Sequence, residues 1–312
     1  MNSEQQVAFS HTDLAAAQFR HASFLFLGSL IGAIAALIYA AKFGMSGVDV
    51  ALLIVFYAIA ILGISVGYHR HFSHRSFKAK PWVRVALAMM GSTAGQGSLF
   101  YWVSNHRRHH QFSDKPNDVH SPRVYGKETL GMIEGLWYAQ IKFAWDHTIT
   151  NPLLYTPDLV GDKSLRAVNQ RYLLLFWTGL LLPGLIGGLA TMSFTGAISG
   201  FLYGGLLRLF LSLQFSNTIN SITHYFGTRR FVTTDESRNN VFVAFVTFGE
   251  GWHNNHHAFQ TSAHIGLKWW EFDFGRYFIQ MLESVNLVWD IKRPSASEIA
   301  SKLMLPSKQV RQ

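Results

Sequence analysis

From Tyr172 to Leu207 the sequence carries no charged side chain, and this stretch restricts the fold more than any other feature. It is too long for one helix packed inside a water-soluble core. It contains Pro183-Gly184 and Gly187-Gly188, and Thr191 to Gly196 reads as a tight turn, so two helices are expected at about 172–191 and 197–216. Two more uncharged runs lie earlier, Phe24 to Ala41 and Val50 to Tyr68. Each is close to the roughly 20 residues that carry a helix across a bilayer core. Charged residues make up only 14% of the chain, against about 25% in an ordinary soluble domain. The pattern predicts an all-α membrane protein with four transmembrane helices and a helical cap outside the bilayer.

The basic residues orient these spans, because Lys and Arg concentrate in the cytoplasmic segments. The short link after the first span carries Lys42 alone, and the turn at 191–196 carries none. The longer segments hold Arg20, Arg70 to Arg84, Arg166, Arg171, Arg229 and Arg230. Both termini and both large loops are therefore expected in the cytoplasm. The net charge of +9 (27 Lys and Arg against 18 Asp and Glu) then reflects membrane orientation and does not call for a nucleic acid partner. Val85 to Val103 is also uncharged, but Gly91, Ser92, Thr93, Gly95, Gln96, Gly97 and Ser98 interrupt it. It reads as an interfacial or re-entrant segment, since a fifth span would move the histidine-rich stretch after it to the other side. The start, MNSEQQVAFSHTDLAAAQ, lacks the basic stretch and apolar core of a cleavable signal. The expected organisation is a cytoplasmic N-terminal segment over 1–22, a four-span domain with its cap over 23–291, and a polar tail over 292–312.

The chain has no cysteine and 15 histidines. Disulfides, thiolate metal sites and a cysteine nucleophile are excluded, and imidazole becomes the available metal donor. The histidines cluster. His69-Arg-His-Phe-Ser-His74 follows the second span, His106-Arg-Arg-His109-His110 follows the interfacial segment, and His253-Asn-Asn-His256-His257 lies toward the C-terminal side. On a helix, residues three and four apart share a face, so each H-x-x-H-H set converges on one side. His69 and His74 are five apart, about 140° round an α-helix; they either serve two centres or sit where the helix ends. Asn220 and His224 share a face just after the fourth span. A tetrahedral zinc needs four ligands, and these clusters offer at least eight before His224 is counted, which points to two metal ions with four or five ligands each. Imidazole suits zinc, copper, iron and nickel. Asp114, Asp118 and Glu250 are candidates to orient the ring N–H groups, or else belong to solvated loops.

GYHRHFSH, SNHRRHHQFSD and GEGWHNNHHAF resemble the three histidine boxes of the membrane fatty acyl desaturases, the stearoyl-CoA-desaturase-like group, and NSITH resembles that family's further Asn-x-x-x-His element. The likeness runs from about Gly63 to Asp290 and takes in YFGTR and SRNN. It implies a non-haem di-iron enzyme that uses O2 and two electrons to leave a cis double bond in an acyl chain, near its middle (C9–C10 type). The resemblance implies two iron ions held by His69, His74, His106, His109, His110, His224, His253, His256 and His257, with Asn220 reaching one iron through water. His71 fills a variable box position, and His11, His21, His120, His147 and His264 have no box context. The family's bent acyl tunnel implies roles as tunnel wall for Trp102 and Gln96. Ser216 and Asn217 stand where the family has a Thr-Trp pair, so a large wall is replaced by a polar amide. Tyr57, three turns before His69, faces the tunnel's end or is one of many lipid-facing aromatics.

Other departures concern the acyl carrier. Ser104 stands where animal acyl-CoA members have Arg; GMIEGLWYAQ replaces the family's S-H-x-G-W stretch, and HHAFQ the commoner HHAFP. Arg75, Lys78, Lys80, Arg107 and Arg108 are cations available for CoA phosphates, carrier-protein acids, lipid headgroups or an electron donor, besides their orienting role. No H-P-G-G element marks a fused haem domain, so the implied partners are an acyl-CoA or acyl-lipid substrate, O2, the bilayer and a separate ferredoxin- or cytochrome b5-like donor. A related di-iron acyl hydroxylase is the alternative chemistry. A metal transporter or sensor is the non-enzymatic one, although transporter ligands usually lie near the bilayer midplane, whereas these boxes flank the spans.

Overall fold

The computed structural model describes residues 6–10, 12–146 and 148–304. The chain divides into two compact units: Met1–Ile64 with Val85–Ser104 and Ile141–Gln214, and Ser65–Arg84 with Asn105–Gln140 and Phe215–Gln312.

Among the described residues, four helices are long and apolar enough to cross a membrane: Thr12–Phe43, Gly47–Ser73, Tyr172–Thr191 and Phe194–His224. They fall on the four expected spans; the third has the expected bounds and the other three are longer. Ser46 caps the second: its hydroxyl accepts from the Asp49 N–H at 3.2 Å, and the Asp49 carboxylate accepts from the Ser46 N–H at 2.9 Å. The third and fourth form a hairpin about Met192, which adopts a left-handed conformation (φ 48°), and Ser193, whose hydroxyl accepts from the Gly196 N–H. Outward-facing Leu173, Leu174, Leu181, Leu185 and Leu189 are exposed, the surface a lipid-facing helix needs.

The first unit is packed through small residues, the usual route to close helix contact where lipid removes the hydrophobic drive between helices. A Cβ on Gly32 would stand 2.6 Å from the Leu206 Cβ, and one on Gly187 would stand 2.4 Å from the Gly196 carbonyl oxygen. Around these contacts Leu25, Phe26, Tyr172, Phe176, Leu180, Leu209 and Leu213 form a core. Arg208 lies in the fourth span, fully buried, and donates to the carbonyls of Gly204, Thr93 and Gly179 at 3.2, 3.0 and 2.6 Å. Three backbone acceptors thus satisfy the guanidinium inside an apolar unit. The interrupted segment becomes two helices, Pro81–Ser92 and Leu99–Phe112, joined by a turn in which Gly95 and Gly97 have φ of 80° and 102°. Neither is among the four long apolar helices.

Gly63 supports the close approach of that segment: a Cβ there would lie 2.3 Å from the Gly91 backbone nitrogen. Backbone cannot swing aside as a flexible side chain can. Gly63→Ala is therefore expected to cost at least about 1–3 kcal/mol, the usual range for overpacking, seen as a lower melting temperature of the detergent-solubilised protein.

The helices of the second unit are mostly short pieces linked by loops, including Met132–Gln140, Val241–Val246, His253–Ala258, Phe274–Ser284 and Ala296–Lys302. Two antiparallel ribbons of two-residue strands tie its loops, Lys78–Ala79 with Val288–Trp289 and Val124–Tyr125 with Glu128–Thr129. A third ribbon, Ala8–Phe9 with Ile149–Thr150, belongs to the first unit.

Candidate metal centre

All nine box histidines fall in the second unit, and the structure brings them into two groups. His69, His74, His106, His110 and His256 form one, and His109, His224, His253 and His257 the other; within each group the candidate ligand atoms lie within 4.8 Å of one another. Each H-x-x-H-H set is helical, as its spacing predicts, in Leu99–Phe112 and His253–Ala258. The two sets divide between the groups: His106 and His110 join His256 in the first, while His109 joins His253 and His257 in the second.

His69 and His74 share one group, which resolves the choice left by their spacing. The second span does not continue as an α-helix. Gly63–Ser73 is π-helical, and the His74 N–H donates to the His69 carbonyl at 3.1 Å, five residues back. A π-turn brings i and i+5 to the same side, where an α-turn separates them. The helix ends at Ser73, so both rings reach a single centre.

Within the first group the Nε2 atoms face one another: His74 to His106 at 2.8 Å, His69 to His256 at 2.9 Å, His256 to His110 at 2.9 Å and His110 to His106 at 3.0 Å. In the second group His224 Nε2 stands 3.2 Å from His253 Nε2. Such separations belong to neighbouring ligands on one ion with metal–nitrogen bonds of about 2.0–2.1 Å, the zinc–imidazole value. His257 Nε2 is buried with no hydrogen-bond partner among the described residues, as expected of a lone pair reserved for a cation.

Four carboxylates set the tautomers. His69 Nδ1 lies 2.6 Å from Glu250, His109 Nδ1 2.9 Å from Asp118, His224 Nδ1 2.8 Å from Asp114 and His257 Nδ1 2.7 Å from Asp235. A ring donating its Nδ1–H to a carboxylate keeps the Nε2 lone pair for a metal and is held at a fixed angle. Burial followed by mutual repulsion holds His74, His106, His110, His253 and His256 well below the ordinary imidazole range, so these rings are neutral at pH 7. Burial would raise Glu250, but the charges of His69 and Arg70 outweigh it and bring its carboxyl down to about 2. Asp114, Asp118 and Asp235 are likewise held low against their burial, by His224, His109 and His257 respectively.

Arg70 braces one of them. It is 1% exposed and donates to Glu250 at 3.0 and 3.1 Å, to Asp273 at 2.7 and 3.0 Å and to the Ala263 carbonyl at 2.8 Å. Ser65 also donates to Glu250.

The remaining candidates separate cleanly. Asn220 ends the Arg208–Asn220 stretch of the fourth span, and a short 3-10 turn, Ile222–His224, carries His224 onward. Trp102 Nε1 donates to Gln96 Oε1 at 3.0 Å, and these two lie in the first unit with Tyr57. Ser216 and Asn217 are buried in the second. The Asn217 amide donates to the Gln140 carbonyl at 2.8 Å, so the group replacing an aromatic wall is fixed to backbone. His71 is in neither group and has its Nδ1 3.2 Å from the Phe77 carbonyl; His21 faces the Tyr172 hydroxyl at 3.0 Å, and His264 is in neither group. His11 and His147 lie outside the described residues. His120 has no box context, yet its ring is 4.5 Å from that of His109, and it groups with His109 and Asp118. Asp235, Arg70 and Asp273 also escaped the sequence reading: Asp235 is five residues past Arg230 in a loop without histidine, and nothing local marks it as a partner of His257.

A helical chain with four membrane-spanning segments and two buried imidazole groups is a membrane protein built to bind metal. Residues 46–277 match the family model described as fatty acid desaturase, and the chain belongs to that family. It is 43% identical over 274 residues to the Hex-5-enoyl-[acyl-carrier protein] acetylenase of Moorena producens (strain JHB), covering 87% of this chain and 85% of that protein. It is 34% identical to Delta-9 acyl-lipid desaturase 2 of Arabidopsis thaliana, over 78% of this chain and 75% of the relative. Identity to the sn-1 stearoyl-lipid 9-desaturase of Synechocystis sp. (strain ATCC 27184 / PCC 6803 / Kazusa) is 36%, over 77% and 70%.

Proposed function

We propose that this protein is an O2-dependent fatty acyl desaturase that introduces a cis double bond into a saturated acyl chain, near C9–C10. The observation that carries the reading is the pairing of two buried imidazole groups with four orienting carboxylates. In this reading the two groups hold one iron each, five and four histidines respectively, and Asn220 acts through water. Two bound irons supply the activation of O2 needed to take hydrogen from an unactivated methylene. Overall, the acyl chain gives up two protons and two electrons, a donor supplies two further electrons, solvent supplies two protons, and O2 leaves as two waters.

The protein's own residues do the positioning. Glu250, Asp114, Asp118 and Asp235 hold the Nδ1 side of His69, His224, His109 and His257 and leave the Nε2 of those four rings aimed inward, while burial excludes water that would quench an oxidant. Within the first unit, Gln96 and Trp102, joined by their hydrogen bond, are assigned to the tunnel wall together with Tyr57. In this reading a separate ferredoxin- or cytochrome b5-like protein supplies the electrons. Both termini and the metal centre face the cytoplasm in this reading, and the acyl group is presented as acyl-CoA or acyl-lipid.

A second reading is favoured by the 43% identity to a protein named for acetylenase activity on an acyl-carrier-protein substrate: further dehydrogenation of an existing double bond to a triple bond. A hydroxylase would share the hydrogen abstraction and differ in the product. Expression in a host fed saturated and terminally unsaturated acids, with mass spectrometry of the lipids and carrier-bound acyl groups, tests all three. A new cis double bond in a saturated acid is the expected result. An alkyne or a hydroxy acid without any new alkene would overturn it.

A further inference from the structure

We infer that the second unit carries its own membrane-surface anchor, an aromatic face that settles at the boundary between lipid headgroups and acyl chains. Within the Phe274–Ser284 helix and the residue after it, Phe274, Tyr277, Met281 and Val285 are all exposed. At about 100° per residue they fall within an arc of about 80°, distinct from the face formed by buried Gly275, Ile279 and Leu282. Glu283 lies diametrically opposite Phe274 on the same count. This helix therefore has one face for the protein, one polar face, and one apolar face that stays about half exposed.

The face extends beyond the helix. Phe272 stands 6.0 Å from Phe274 and 5.6 Å from Phe245, between ring centroids. Phe245 and Phe242 are exposed on the Val241–Val246 helix, and Trp269 is 92% exposed with Trp270 beside it. Exposed apolar surface this continuous is uncommon on a soluble monomer and marks an interaction site. Its chemistry selects the occupant. Trp and Tyr are the side chains enriched at bilayer interfaces, where a ring can be apolar at one end and wet at the other. The Lys268 ammonium lies 5.3 Å from the Trp270 ring centroid, and the Arg276 guanidinium 6.0 Å from that of Tyr277. Cations at the margin of an aromatic face complement anionic headgroups, with their stems lying along apolar surface. Residues 225–240 join the Val241–Val246 helix to the span ending at His224, so this unit is tethered to a membrane-crossing helix. The inference does not depend on the reaction catalysed.

The chain has no cysteine, so single labels can be placed without background. A nitroxide on M281C and, separately, on E283C would be measured on the full chain in proteoliposomes of phosphatidylcholine and phosphatidylglycerol, by power saturation with O2 and with a water-soluble nickel chelate. The expected result is a label on M281C more accessible to O2 than to nickel, with the order reversed on E283C. A label on M281C that is open to nickel, or shielded from both relaxants as by a second copy or another protein, would overturn the anchor. V285C, on the same stripe, repeats the measurement if M281C fails to fold.

Discussion

Replacing His109 with alanine is expected to abolish product formation and to bring the metal content from about two ions per chain toward one. His109 is one of four rings in its group and 2% exposed, with its Nδ1 on Asp118. Removing it leaves three imidazoles where the group has four, and frees a buried carboxylate whose partner is gone. Loss of even an orienting partner outside the ligand set typically weakens metal affinity about 10–100-fold, so loss of a ring should exceed that. Metal analysis by plasma mass spectrometry, beside the lipid assay, reads both effects. His71→Asn is the matching control: that ring is in neither group, so it should leave the metal content unchanged. Undiminished product from the alanine variant would remove His109 from the centre.

The second large effect falls on stability. Arg70→Ala is expected to destabilise the second unit by roughly 3–5 kcal/mol, the usual cost of breaking a buried ion pair by removing one partner. Glu250 and Asp273 are 4% and 0% exposed, and both lose their guanidinium hydrogen bonds. Glu250 also orients His69, so the five-ring group should lose metal before the four-ring group does. Arg70→Lys keeps the charge but not the planar fork that serves two carboxylates and a carbonyl at once; it should recover part of the stability and little of the orientation. Melting curves in detergent with metal titration separate the two effects. A variant with wild-type melting and two ions bound would show that the brace is dispensable.

The spans were legible because the signal is local. A run such as Tyr172 to Leu207 must avoid water whatever its neighbours do, and Pro183, the glycines and the turn at Ser193 divide it without reference to the rest of the fold. The two H-x-x-H-H sets were legible for the same reason, since an α-helix converts that spacing into a shared face. The His69–His74 pair marks the limit of this logic. Its spacing is wrong for an α-helix, and the π-turn that reconciles it depends on how the end of the second span is packed.

The sequence by itself determined an all-α chain with four membrane spans and histidine clusters in place of thiolates; the nine rings were marked by the resemblance to the desaturase family. Only the tertiary structure decided how those rings divide into five and four, and that each H-x-x-H-H set supplies both groups. It also decided that Asp235 backs His257 and that Arg70 joins Glu250 to Asp273. The reason is physical. Helical periodicity links residues three or four positions apart, whereas these pairings connect segments separated by tens to hundreds of residues. There the choice of partner rests on burial: a carboxylate or imidazole removed from water must be satisfied by whatever group the packing brings to it.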